Sequence, residues 1–230
     1  MRVVLLRHGE TDHNAADRFQ GQADIPLNDD GVRQAQRAAR SLPTGGWSAV
    51  YSSPLARAAL TAAYAAGRLD VPHHRVAALS ERHLGSLDGL PRAEFARNDP
   101  QTMRRLLTDP GYAPPGGESG HAARARFCAA LHDVLAAEGT AGRVLVVAHG
   151  GVLNLLATAL VTAREDAPRA MVGNCRALCL DAEWTAQGRA RIALCRWNTD
   201  PRECAGTAPP SAPVTFVDLD DLIAKEVTRT

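Results

Sequence analysis

The sequence predicts one α/β domain, on three observations. A chain of 230 residues that is 45% hydrophobic can bury one sizeable core, and nothing in its composition asks for two. Two apolar runs, Val3-Val4-Leu5-Leu6 and Val144-Leu145-Val146-Val147-Ala148, lack helical period and read as strands covered on both faces. Each run stops at a His-Gly pair, His8-Gly9 and His149-Gly150, and segments with helical period lie between and after them. Such strands deliver a side chain to the carboxyl edge of a sheet, where open α/β sheets bind ligands.

After His8, residues 12–30 are polar and turn-rich, with Asn14, Gln20, Gly21 and Asp24, and read as a functional loop. Asn28 with Asp29 and Asp30 caps a helix through about Leu42, with Val32, Ala35, Ala39 and Leu42 as its inner stripe. Trp47 to Tyr51 is a short strand, and Ser52-Ser53-Pro54 reads as a helix start with Pro at the first helical position. That helix runs to about Leu69 and carries Arg57 in its first turn, where a cation opposes the helix dipole. An anion held between Arg57 and the helix terminus resolves the conflict.

A third strand is expected over His73 to Leu79, ending at the irregular, glycine-bearing stretch Glu81 to Gly89. A carboxylate there, Glu81, is ordinarily a surface group, and only in a cleft would it serve as a proton donor. Residues 91–119 form weak helix and a Pro/Gly-rich loop, and read as an insertion over one end of the sheet. Ser119 or Glu118 caps an amphipathic helix to about Glu138, with Phe127, Leu131, Val134 and Leu135 inward. Gly150 and Gly151 open a helix to about Leu160, aiming backbone amides at an anion. Strands over Ala177 to Ala182 and Arg191 to Trp197, a linker from Ala205 to Pro213 and a short strand and helix around Val217 to Ile223 complete the chain.

Composition narrows the chemistry. A net charge of +1 from 26 basic and 25 acidic residues, without blocks, argues against a nucleic-acid or membrane surface. Lys225 is the only lysine, which excludes a Walker-type phosphate loop. Five cysteines imply neither a disulfide framework nor a zinc site, no apolar run is long enough to span a bilayer, and the cytoplasm is the expected compartment. Two imidazoles, Arg7, Arg57 and amide-bearing termini at strand ends suit a compact dianion, with a phosphoryl group the obvious one. His8 fits the nucleophile and Glu81 the acid.

The motifs resemble those of the histidine phosphatase superfamily, the phosphoglycerate-mutase-like proteins. Leu6-Arg7-His8-Gly9-Glu10-Thr11 with Asn14, Gln20-Gly21-Gln22, Ser52-Ser53-Pro54-Leu55-Ala56-Arg57, Glu81 through Gly89 and Ala148-His149-Gly150-Gly151 follow in the family's order. The resemblance implies that His8 is phosphorylated, that Arg7, Arg57 and His149 complete the phosphate pocket, and that Glu81 protonates the leaving group. It implies that Asn14, Gln20, Gly21 and Gly150 line the pocket. It also implies a three-layer α/β/α sandwich with a mainly parallel central sheet, over a domain of residues 1–200 with a cap insertion at about 88–119. Residues 201–230 form a tail docking on that domain. No metal or cofactor is implied, the partner is a small phosphomonoester of sugar-phosphate or phosphoglycerate type, and a homodimer is left open. Gly116-Gly117-Glu118-Ser119 and His149-Gly150-Gly151-Val152 favour a phosphatase over a cofactor-primed mutase, while Glu81-Arg82-His83 resembles the mutase version. A non-catalytic phosphate-binding or protein-interaction relative is the remaining alternative, although none of the five core residues is missing.

Overall fold

The computed structural model describes residues 1–140, 142–161, 171–204 and 215–224. Strand β1 (Arg2–Arg7) shows why the opening run has no polar face: Val3 and Leu5 enter one core, Val4 and Leu6 another, and all four are buried. Strand β4 (Arg143–Ala148) alternates likewise, with Val144, Val146 and Ala148 on one side and Leu145 and Val147 on the other.

The sheet has seven strands in the order β3-β2-β4-β1-β5-β6-β7, adding β2 (Trp47–Ser52), β3 (His73–Arg75), β5 (Ala177–Trp184), β6 (Ala190–Thr199) and β7 (Val217–Asp218). Strands β3, β2, β4 and β1 run parallel, and β5 to β7 extend the sheet antiparallel, so it is mixed and its parallel half carries the site. Helices α2 (Asp29–Ser41) and α3 (Ala56–Leu69) cover one face, and α6 (Gly120–Glu138) and α7 (Gly150–Val161) the other, giving three layers. A four-residue turn of helix, α1 (Asp12–Ala15), follows β1, with Thr11 and Asn14 closing a capping box.

Local chemistry sets the boundaries. The Asn28 side chain accepts from Gly31 N–H at 2.8 Å to start α2, and Ser119 accepts from Ala122 N–H at 3.0 Å to start α6. Gly31 is required: a Cβ there would collide with the Glu10 carbonyl, and one on Gly9 would collide with Gly31, so the turn after β1 lies directly on the start of α2.

Three expected boundaries shift. Helix α3 begins at Ala56, with Pro54 in the turn before it, because Ser53 Oγ accepts from Leu55 N–H at 3.2 Å and the Asp24 carboxylate accepts from Ala56 N–H at 2.7 Å. The strand expected to reach Leu79 stops at Arg75, where Ala77–Leu79 turns as 3₁₀ helix and breaks the pairing. Strands β5 and β6 extend beyond their apolar parts because polar pairs continue the ladder, Arg191 meeting Glu183 at 3.1 Å. The expected linker over 205–213 lies outside the described residues.

Residues 88–119 supply α4 (Arg92–Asn98) and α5 (Pro100–Thr108). Phe95, Met103 and Leu106 pack on Phe19, Leu84 and Leu87 in a small separate core over the carboxyl ends of the parallel strands. Near the chain's end, β7 pairs with Arg191 and Ile192, and α9 (Leu219–Ala224) buries Leu219 and Leu222 in the core that holds α6, while α8 (Pro201–Cys204) buries Cys204 on the opposite side.

Candidate active site

Strands β1 and β4 are neighbours in parallel register, Arg7 opposite Ala148, so the next residue of each arrives at the same height. His8 and His149 therefore meet edge to face with ring centroids 5.1 Å apart. His8 Nδ1 lies 2.6 Å from the Gly9 carbonyl. A carbonyl only accepts, so Nδ1 carries the proton and Nε2 keeps its lone pair. Burial, then Arg57 and Arg7, hold the His8 pKa well below the usual histidine value, so the imidazole is neutral at pH 7. His149 is fully buried and held low by burial, Arg57, His8 and Arg7, and neither of its ring nitrogens has a partner among the described residues.

Arg57 is a fully buried guanidinium that donates to the carbonyls of Ala23 (2.7 Å) and Gly21 (2.8 Å), and its Nε has no partner among the described residues. The dipole conflict anticipated at the α3 terminus is met partly by the protein itself, since Asp24 caps that terminus. Arg7 donates from Nη1 to the Val172 carbonyl at 2.6 Å, has a buried Nε with no partner among the described residues, and is pulled by burial to about 10, still a cation at neutral pH.

Asn14 Oδ1 accepts from Asn174 Nδ2 (3.2 Å) and Gln20 Oε1 from the buried Thr11 hydroxyl (2.9 Å). Both amides line the cleft together with Gly21, Gly150, Arg7, His8, Arg57 and Glu81. Glu81 accepts from the backbone N–H groups of Gly151 (2.7 Å), Val152 (2.9 Å) and Arg82 (2.8 Å). The amides expected to face an external anion thus hold the protein's own carboxylate, and that fixes Glu81 at the α7 terminus. Arg126 clamps the backbone behind it, donating to the carbonyls of Ala78, Ser80 and Glu81 at 2.8, 3.0 and 3.1 Å and pairing with Glu118 at 2.6 Å.

All nine residues expected at the site come together, eight lining the cleft and His149 packed against His8. Sequence reasoning did not single out Phe19, Arg82, Arg92, Leu106, Asn154 or Met171, which line the same cleft. Asn154 had a signal, since it lies one turn after Gly150 on the same helix. Arg92 had none in so arginine-rich a chain.

The model of the histidine phosphatase superfamily (branch 1) matches residues 3–196. The chain belongs to that superfamily. This histidine phosphatase is 36% identical over 166 residues to the glucosyl-3-phosphoglycerate phosphatase of Mycolicibacterium vanbaalenii, covering 70% of this chain and 74% of that protein. It is 40% identical over 158 residues to the metal-independent phosphoserine phosphatase of Arabidopsis thaliana, covering 67% of this chain and 66% of the relative. A solved mycobacterial glucosyl-3-phosphoglycerate phosphatase, complexed with VO3, superposes with a TM-score of 0.75 at 32% identity, covering 86% of this chain and 99% of that one. No helix among the described residues is long and apolar enough to cross a membrane.

The buried imidazoles of this histidine phosphatase make its stability pH-dependent. Unfolded histidines take up protons near pH 6.5, whereas His8 and His149 do so only at lower pH, so the unfolded state gains protons first on acidification. Their contribution is complete above that value and falls below it by up to about 1.4 kcal/mol per pH unit for each histidine until its folded pKa is reached. Urea midpoints at pH 7.5 and 5.0 measure this: the midpoint drops at pH 5.0, and an unchanged midpoint refutes the assignment.

Proposed function

We propose that this chain hydrolyses a small phosphomonoester, of sugar-phosphate or phosphoglycerate type, through a phosphohistidine on His8. His8 Nε2 attacks phosphorus in line while the bond to the alcohol oxygen breaks and Glu81 gives that oxygen its proton. Water then attacks phosphorus, Glu81 takes its proton back, and the N–P bond breaks to release phosphate and free His8. Arg7, Arg57 and His149 hold the transferring oxygens, with donors from Asn14 and Gln20 and the backbone at Gly21 and Gly150 around them. The charge comes from guanidinium groups, so the reaction draws on neither a metal nor a cofactor.

One observation carries this reading: Arg7 Nε, Arg57 Nε and both ring nitrogens of His149 are buried at the same strand ends and have no partner among the described residues. Each such group costs about 1–3 kcal/mol when unsatisfied, and a phosphoryl group between them satisfies them together. The names of the relatives, phosphatases of glucosyl-3-phosphoglycerate and phosphoserine, support the substrate class. We assign residues 1–200 to the catalytic domain, with 88–119 as its cap and residues 201–204 and 215–224 docked on it, the rest of the expected tail lying outside the described residues. We place the enzyme in the cytoplasm, where its free cysteines stay reduced, with the small phosphoester and no nucleic acid as its partner.

A phosphate-release screen over a metabolite panel tests the function. It includes 3-phosphoglycerate with a trace of 2,3-bisphosphoglycerate, so that isomer formation is read in the same experiment. Phosphate release without the isomer is expected; isomer formation without release refutes hydrolysis.

A further inference from the structure

Strand β1 ends at Arg7, and its ladder with β5 stops where Leu6 lies opposite Ala177, so on that side the backbone of Arg7 and His8 needs other partners. Residues 172–176, which lead into β5, supply them. Arg7 N–H donates to the Arg176 carbonyl (3.0 Å), and Cys175 N–H is shared between the carbonyls of Arg7 (3.1 Å) and His8 (3.3 Å). Asn174 Nδ2 donates to the His8 carbonyl (3.1 Å) and to Asn14 Oδ1 (3.2 Å). The Arg7 guanidinium is held by the same segment, through the Val172 carbonyl.

The orientation of the Asn174 amide is forced. Thr11 N–H donates to Asn14 Oδ1 (3.3 Å), which makes that atom the oxygen, and the other partner is a backbone carbonyl, so only an NH₂ group fits between them. The segment is itself braced from β6: Asn198 Oδ1 accepts from Gly173 N–H (2.9 Å), and the Asn198 carbonyl accepts from Arg176 Nε (3.1 Å) and Nη2 (2.8 Å). Cys175 and Asn198 both lie in the left-handed region, with φ of 53° and 49°, a conformation that a buried cysteine keeps where surrounding bonds hold it. Burial pushes the Cys175 thiol up to about 12, so this residue contributes its N–H and not a thiolate.

We propose that Asn174 is a positioning residue for the phosphoryl acceptor: by tying the His8 carbonyl to Asn14, it holds His8 Nε2 in line with a phosphorus seated at the strand ends. Asn174 is not among the residues that line the cleft, so it acts through His8. The imidazole is bonded to its own backbone neighbour, Gly9, and turns with the local chain. Released on the Asn174 side, the chain carries the ring off line, while Arg57 keeps its anchors on Ala23 and Gly21 and Arg7 its anchor on Val172. The loss therefore falls on the attack and spares the binding of the phosphate charge. This inference rests on the phosphohistidine reading and adds to it a residue from the antiparallel half of the sheet.

The test compares wild type with Asn174→Ala and with Asn174→Asp, which keeps the volume but sets an oxygen against two oxygens. With enzyme in excess, single-turnover release of 4-nitrophenol from 4-nitrophenyl phosphate slows about 10- to 100-fold in Asn174→Ala and further in Asn174→Asp. Single-turnover cleavage of the alkyl ester 3-phosphoglycerate slows by the same factor. Inhibition by vanadate, which takes the nucleophile as a fifth ligand, weakens in step with the rate, whereas inhibition by inorganic phosphate is nearly unchanged. Urea midpoints confirm that both variants are folded. Unchanged single-turnover rates, with only the midpoint lowered, overturn the proposal and leave Asn174 a residue of the fold. A loss confined to the alkyl ester overturns it by placing the effect on Glu81, and weakened phosphate inhibition with the saturated rate intact overturns it by placing the effect on Asn14. A wild type that neither releases phosphate nor forms phosphohistidine overturns the underlying reading, whereas wild-type turnover indifferent to both substitutions overturns this inference alone.

Discussion

Replacing His8 by Ala lowers phosphate release by at least about 10⁴-fold, because the variant has no nitrogen to accept the phosphoryl group. The fold survives the change. The β1 ladder is made by backbone groups, and the lost side-chain bond, His8 Nδ1 to Gly9, is local. Removing the imidazole also relieves a buried base pressed by Arg57 and Arg7. Those two arginines and His149 remain, so the variant still binds inorganic phosphate or vanadate even though it no longer turns over. Two measurements decide it. Brief incubation with labelled substrate followed by alkaline quench traps an acid-labile phosphoryl group on the wild type and none on the variant, and steady-state assays read the rate. Undiminished turnover, or label retained after the substitution, removes His8 from the nucleophile's role.

Much of this arrangement was legible in the sequence because its strongest signals are local. An unbroken apolar run needs cover on both faces, and that alone places β1 and β4 inside a sheet with helices above and below. What the sequence does not carry is register. Nothing in either run says that Arg7 lies opposite Ala148, yet this pairing brings two imidazoles 141 positions apart to 5.1 Å. The start of α3 shifts for a related reason, since the carboxylate that accepts from its first N–H comes from Asp24, 32 residues upstream, while the adjacent Ser53 caps only the turn before it. The clamp of Arg126 on the backbone before Glu81 joins elements 45 residues apart through carbonyls, which have no residue identity to read. Arginines such as Arg92 and Arg126 differ from their solvated counterparts in burial and aim alone, and neither shows in a one-dimensional pattern.

Replacing Glu81 by Gln separates substrates by leaving group. Three backbone N–H groups hold the carboxylate, two on Oε1 from Val152 and Arg82 and one on Oε2 from Gly151, so Oε2 is the less encumbered oxygen for a proton. A glutamine in its place keeps one accepting oxygen and the volume but has no acidic proton to give. An alkyl phosphate expels an alkoxide whose departure requires that proton, and its rate falls by about 10²- to 10⁴-fold. An aryl phosphate such as 4-nitrophenyl phosphate leaves as a stabilised anion, and its phosphorylation of His8 needs no donor, so the burst of 4-nitrophenol survives. The second step differs, because water attacking phosphohistidine uses the same carboxylate as a base. The variant therefore accumulates phosphohistidine with the aryl substrate, and a fast burst followed by slow turnover is the expected trace. Equal loss in the burst phase for alkyl and aryl esters would show that Glu81 acts by holding the α7 terminus and not by moving a proton. A substitution at Gly151 distinguishes these roles from the other side: a Cβ there would stand 2.6 Å from Glu81 Oε1 and displace the carboxylate without altering its acidity group. Gly151→Ala then shows the same alkyl-selective loss as Glu81→Gln, and combining the two substitutions adds little to either, as required of residues acting on one proton transfer.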